Sequence, residues 1–264
     1  MIQAVAFTWG EKLVSELGTV PTASAADRYI RWAGLFAGFV AARLVTQADR
    51  SGEDVGILYA IPVFGLCAVA GVLAADALTA RPRGAVRTAG LAPRRVRDYV
   101  PPRMTALLVA QAGVLVVLLG AAAALAWPDD AGRAGRSLTF TCPGGGIADA
   151  GPWPGAFYGL PILASLAVST GCCLWSLTWI ARRPGDDRAR RDRSLAVVAA
   201  WGLLVSALLL GTASTASGAL MGTTCDGTLG RVANGLLWPA ALVALVTVPW
   251  CLVTVISPKA RVRR

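Results

Sequence analysis

The chain has 264 residues, of which 55% are hydrophobic and only 15% charged, with a mean hydropathy of +0.59. An average soluble domain carries about 25% charged residues, so this is the balance of a membrane protein, and the formal net charge of +10 is read as topogenic and not as a nucleic-acid-binding surface. The chain holds no His, which excludes HExxH metalloproteases, Ser-His hydrolases and haem or copper sites with His ligands; no GxxxxGK[ST] loop is present for ATP. No catalytic, cofactor-binding or metal-ligating constellation can be drawn from what remains, and the chain reads as a non-enzyme.

Residues 1–20 place Ile2, Val5, Trp9, Leu13 and Leu17 at steps of three and four, with Glu11, Lys12 and Glu16 elsewhere. That pattern predicts an interfacial helix lying on one leaflet. The early acidic and basic residues interrupt any apolar run, so no cleaved signal peptide is expected.

A helix needs roughly 20 mostly apolar residues to cross a bilayer. Six stretches qualify: Trp32–Gln47, Val55–Ala75, Met104–Trp127, Phe157–Ile180, Leu195–Ala213 and Gly235–Ile256. The expected fold is thus an all-α integral membrane protein, a single transmembrane domain over residues 1–264. Of the 25 Lys and Arg, 20 fall before the first stretch, between the second and third, between the fourth and fifth, or after the sixth. Four fall on the other side, and Arg43 lies inside the first span. By the positive-inside rule the rich side is cytoplasmic, which gives three outward hairpins with both termini inside. Arg outnumbers Lys 23 to 2 in a chain rich in Ala, Gly and Pro, the signature of GC-rich coding; the expected location is the plasma membrane of such a bacterium, multi-pass.

Within the spans, Gly34-x-x-x-Gly38, Ser165-x-x-x-Ser169 and Gly202-x-x-x-Ser206 set small residues on one helix face, where another helix can approach closely. Arg43 is the sole ionisable residue well inside a span. Such a charge is either functional or reaches the headgroups with its head while its stem stays in the apolar layer. Trp127, Trp153, Trp175, Trp179, Trp238 and Trp250 fall near the expected interfaces and read as belt anchors.

The second and third external loops share a pattern, Thr141-Cys142-Pro-Gly and Thr224-Cys225-Asp-Gly, each followed by a Trp-Pro pair; a duplicated hairpin would explain it. Cys142 and Cys225 are the two cysteines expected outside, where a bridge between them can form. On the inner side, the linker from Arg81 to Pro101 offers Arg87, Arg94, Arg95, Arg97 and Tyr99 as a docking surface, the alternative being attraction to anionic lipid alone.

Two functions fit. The first is a permease-like transport component whose partner, besides the lipid bilayer, is a cytoplasmic ATPase or another membrane subunit. The second is a membrane sensor, immunity or assembly factor that recognises partners through its external Cys-bearing loops. No cofactor and no nucleic-acid partner is expected.

Overall fold

A computed structural model describes residues 22–48, 56–78, 96, 99–128, 132, 135–141, 147–182, 187–221 and 228–258. The expected interfacial helix, Cys142, Cys225, Arg87, Arg94, Arg95 and Arg97 lie outside the described residues. Within them the protein is almost entirely helical. In chain order the elements are α1 (Thr22–Ala48), α2 (Gly56–Leu78), α3 (Pro102–Ala124), β1 (Leu138–Thr141), β2 (Ile147–Ala150), α4 (Ala156–Arg182), α5 (Asp187–Met221) and α6 (Thr228–Ile256).

Five of the six helices, α2 to α6, are long and apolar enough to cross a membrane. α1 is long enough at 27 residues, about 40 Å at 1.5 Å per residue; its composition falls short, because Asp27, Arg28, Arg31 and Arg43 all lie within it.

The helices are organised around α5. Its apolar window is 78% buried inside the bundle, against 22–44% for the other four, and it contacts α2, α3, α4 and α6. A helix apolar on every side belongs in a core. Leu203, Leu204, Leu208 and Leu209 pack there with Val69 and Val72 of α2, Leu108 and Leu115 of α3, Ile162 and Leu166 of α4, and Ala244 and Cys251 of α6. The outer faces of α3, α4 and α6 leave Val117, Leu160, Leu174, Leu236 and Val246 exposed, as an apolar solvent allows.

Small residues set the closest approaches. A Cβ on Gly34 would lie 2.6 Å from the Gly71 Cα, and one on Gly38 would lie 3.0 Å from the Cys67 Cβ. As residue numbers rise along α1, those of its contacts fall along α2. Gly202 sits where three helices meet, its missing Cβ 2.6 Å from Leu108 Cδ1 of α3 and 2.9 Å from the Cys251 Sγ of α6.

α5 is also the hub of the buried polar contacts between helices. Ser206 donates to Gln111 Oε1 of α3 (2.7 Å), and Gln111 Nε2 donates to Thr247 Oγ1 of α6 (2.9 Å). Thr247 in turn donates to the Val243 carbonyl (2.7 Å). The Trp201 indole donates to Thr170 of α4 (2.9 Å), and Ser217 to Asn234 of α6 (2.8 Å). An unpaired polar group in an apolar bundle costs free energy, so the contacts made by Ser206, Trp201 and Ser217 favour one register of α5. Gln111→Leu is expected to cost about 1 kcal/mol. The loss stays small because the Ser206 hydroxyl can turn to a carbonyl one turn back. A thermal melt in detergent followed by Trp fluorescence checks this, with a modest fall in Tm and no change in helix content.

Several element ends differ from the sequence expectation. α5 runs 35 residues instead of 19; its first two turns, Asp187 to Ser194, are too charged to enter an apolar window yet remain helical through the Asp187–Arg190 pair at i, i+3 (2.7 Å). α3 stops at Ala124, short of Trp127, because Trp127 leaves the helix to pair with Ser137. Trp153 is not a belt anchor: it is 5% exposed and packed inside the bundle. The other five belt tryptophans are exposed.

Candidate functional site

The contacts gather polar and aromatic groups at two ends. At one end lie the start of α1, the end of α2, the starts of α3 and α5 and the end of α6. This basic end carries most of the described ion pairing. At the other, the hairpin end, α3 and α4 are joined through the β1–β2 hairpin.

At the hairpin end the chain builds a folded cap. Trp127 and Ser137 form an antiparallel bridge, the Trp127 amide donating to the Ser137 carbonyl at 2.8 Å. The Ser137 hydroxyl donates to the Pro128 carbonyl at 2.9 Å. β1 and β2 pair antiparallel with Leu138 opposite Ala150 and Thr141 opposite Ile147, and Thr139 donates to Asp149 across the ladder (2.6 Å). Gly135 enables the fold back onto α4. Its φ is +78°, a region that favours glycine, and its carbonyl lies so close to Gly155 that no Cβ fits there.

Two large side chains fasten this cap. Trp153 lies over Ala122 of α3, Ala213, Ala216 and Leu220 of α5, and Leu237 of α6. Its indole N–H donates to the Ala122 carbonyl at 2.9 Å, one of the helix-end carbonyls that α3 cannot satisfy internally. Arg136 is 6% exposed, with its guanidinium carbon 5.1 Å from the Phe157 ring centre and 5.5 Å from that of Tyr158. These rings meet Tyr59 of α2 edge-on and tilted, centroids 6.3 and 5.7 Å away. A guanidinium over aromatic faces is stabilised by the ring quadrupoles, more so when desolvated.

At the basic end several charged side chains are engaged within the chain. Asp76, at the end of α2 and buried, lies 3.6 Å from Arg193 of α5. Arg31 of α1 donates to the Val255 carbonyl in the last turn of α6 (3.3 Å). Arg190, 4% exposed, donates to Asp187 at 2.7 Å and to the Tyr99 hydroxyl at 3.3 Å, and stacks over the Tyr99 ring at 5.8 Å. Tyr99 itself donates to Asp187 at 3.4 Å. Its phenol is engaged within the chain and ties the end of the Arg-rich linker to α5.

Arg43 stands apart from both ends. It is exposed on α1. The described cysteines, Cys67, Cys172, Cys173 and Cys251, are free thiols, and among the described residues no three His, Cys, Asp or Glu side chains gather as a metal site.

Sequence reasoning picked out Tyr99 and Arg43, which the structure does not bring together. It missed Arg136, counted only as one of four sparse charges on its side. The signal available was its position between a Gly at 135 and a run of alternating residues, which is a turn leading into a strand. Gln111 was visible as a polar residue in a span, but its partners on α5 and α6 were not.

No protein-family model matches the chain, and no curated protein or solved structure is similar to it.

Proposed function

We propose that the chain is a plasma-membrane protein of six spans, arranged as three outward hairpins with both termini in the cytoplasm, which acts by engaging a partner chain. In this reading it is a membrane sensor, immunity or assembly factor, and the cap at the hairpin end is its external recognition surface. The orientation is supported by the 20 Lys and Arg on one side against four on the other. α1 is taken as the sixth span on its length and on its close pairing with α2.

The observation that carries the reading is the folded cap. A connection that served only to join α3 to α4 needs neither a paired hairpin nor a buried Arg clasped by two aromatic rings. A rigid, polar-edged platform is what recognition uses.

The basic end favours a second reading, a permease-like component working with a separate ATPase, because contacts there tie α1 to α6, α2 to α5, and Tyr99 at the end of the linker to α5. α5 fills the axis of this bundle, so a path for cargo would have to run along a contact with another subunit.

A mild-detergent pull-down of the tagged protein, compared with Arg136→Ala, separates the two. Recognition through the cap predicts a bound chain that the variant loses at equal membrane abundance. A nucleotide-binding subunit retained by both proteins overturns it in favour of transport.

A Cys142–Cys225 bridge belongs to the same proposal. It would tie the cap to the α5–α6 loop and contribute about 3–4 kcal/mol if unstrained. Alkylation of the denatured protein with and without reductant is expected to differ by two labelled thiols; equal labelling contradicts the bridge.

A further inference from the structure

α1 presents Tyr29, Trp32, Phe36, Phe39 and Leu44 on the face turned away from α2. Steps of three and four place Arg43 among them. Arg31 marks the basic end of the helix through its bond to the Val255 carbonyl. Arg43 follows twelve residues later, about 18 Å further along in a hydrocarbon layer about 30 Å thick. Measured from the other end, it is five residues short of Ala48, about 7–8 Å.

The helix also aims this side chain the wrong way for escape. Cα–Cβ bonds tilt toward the helix N-terminus, here toward the basic end, so the Arg43 stem leaves the backbone away from the nearer membrane surface. Charged residues in spans face a bundle interior or cavity and pair with something. Arg43 is exposed on its helix, and among the described residues its guanidinium has no ion pair or hydrogen bond; the Thr46 hydroxyl donates to its backbone carbonyl at 2.8 Å.

We propose that this face of α1 is the docking surface for a transmembrane helix of a different protein, one bearing an aspartate or glutamate at the depth of Arg43. The inference rests on α1 spanning the bilayer, as proposed above. The charge dictates the partner chemistry, since a guanidinium removed from water is best matched by a carboxylate held in its fork. The described helices of a second copy do not supply one. The acidic residues of the described helices, Asp27, Asp76, Asp187 and Asp192, all lie toward the basic end, and Asp76 faces Arg193. Two copies joined by this face would also set Arg43 against Arg43.

The test uses the full-length protein, donor-labelled, in phosphatidylcholine vesicles with acceptor-labelled leucine–alanine transmembrane peptides. Each peptide carries one Glu, Gln or Lys at the matching depth. The Glu peptide is expected to associate about tenfold more tightly than the other two, a difference of 1.4 kcal/mol. Arg43→Leu should abolish that preference, Arg43→Lys should keep it, and Arg43→Glu should transfer it to the Lys peptide. Equal transfer from all three peptides, as when Arg43 is satisfied by lipid phosphate, overturns the inference; so does a Glu preference that survives in Arg43→Leu. An epitope inserted after Gly52 and probed on intact cells is read in parallel. If it is hidden, the spanning of α1 fails; if it is displayed while the peptides show no preference, the docking inference alone fails.

Discussion

Trp153→Ala is expected to destabilise the protein by about 3–5 kcal/mol, the range for deleting a large buried aromatic. The indole fills the hairpin end of the bundle between α3, α5 and α6, and small residues surround it. Ala122, Ala213 and Ala216 cannot swing in to occupy the space. Its loss also strips the Ala122 carbonyl of its donor, adding a desolvation cost of the kind that follows when one partner of a buried bond is removed. Because the Trp153 amide also holds the Arg136 carbonyl (2.9 Å), the cap should loosen with it. Limited proteolysis of the β1–β2 hairpin is the measurement, with early cutting in the variant and a lowered Tm. Trp153→Phe should recover the packing and not the hydrogen bond, and so fall between the two.

Gly34→Leu is the second large effect, and it is local. The obstacle at Gly34 is the backbone of Gly71, which cannot rotate aside as a side chain can. α1 must therefore withdraw along its whole contact with α2, which also pulls Gly38 off Cys67. Leu35 is the one α1 residue in the main core cluster, so apart from α2 the helix is held chiefly by the bond from Arg31 to the Val255 carbonyl of α6. The expected outcome is a protein whose α2–α6 assembly persists while α1 separates. Limited proteolysis between α1 and α2 is the measurement, with a several-fold faster cut there and unchanged cutting elsewhere expected.

The contrast between these two sites says what a sequence can carry. The GxxxG of α1 is read directly, because its meaning lies in spacing on one helix, and Gly202-x-x-x-Ser206 likewise marks the junction of α3, α5 and α6. The five apolar spans follow from composition alone. The length of α5 does not, because Asp187 to Arg193 form helix at the cost of hydropathy, which an apolar window cannot see. Trp153 looks like an interface anchor in one dimension. Its burial depends on which helix ends converge above it. Gln111, Ser206 and Thr247 are far apart in the chain, and only the packing of α5 against α3 and α6 makes them one network. Arg43 was legible as an anomaly, whereas its exposure away from α2 needed the helix pairing.

The proposed six-span bundle, with α5 at its axis and the basic end in the cytoplasm, is tested most directly by fusion reporters placed in every connection. Alkaline phosphatase is expected to be active after Gly52, Gly145 and Asp226, and a cytoplasmic fluorescent protein after Gly90, Gly185 and Arg264. Phosphatase activity after Gly90 or Gly185, or the same reporter response on both sides of α1, would contradict it.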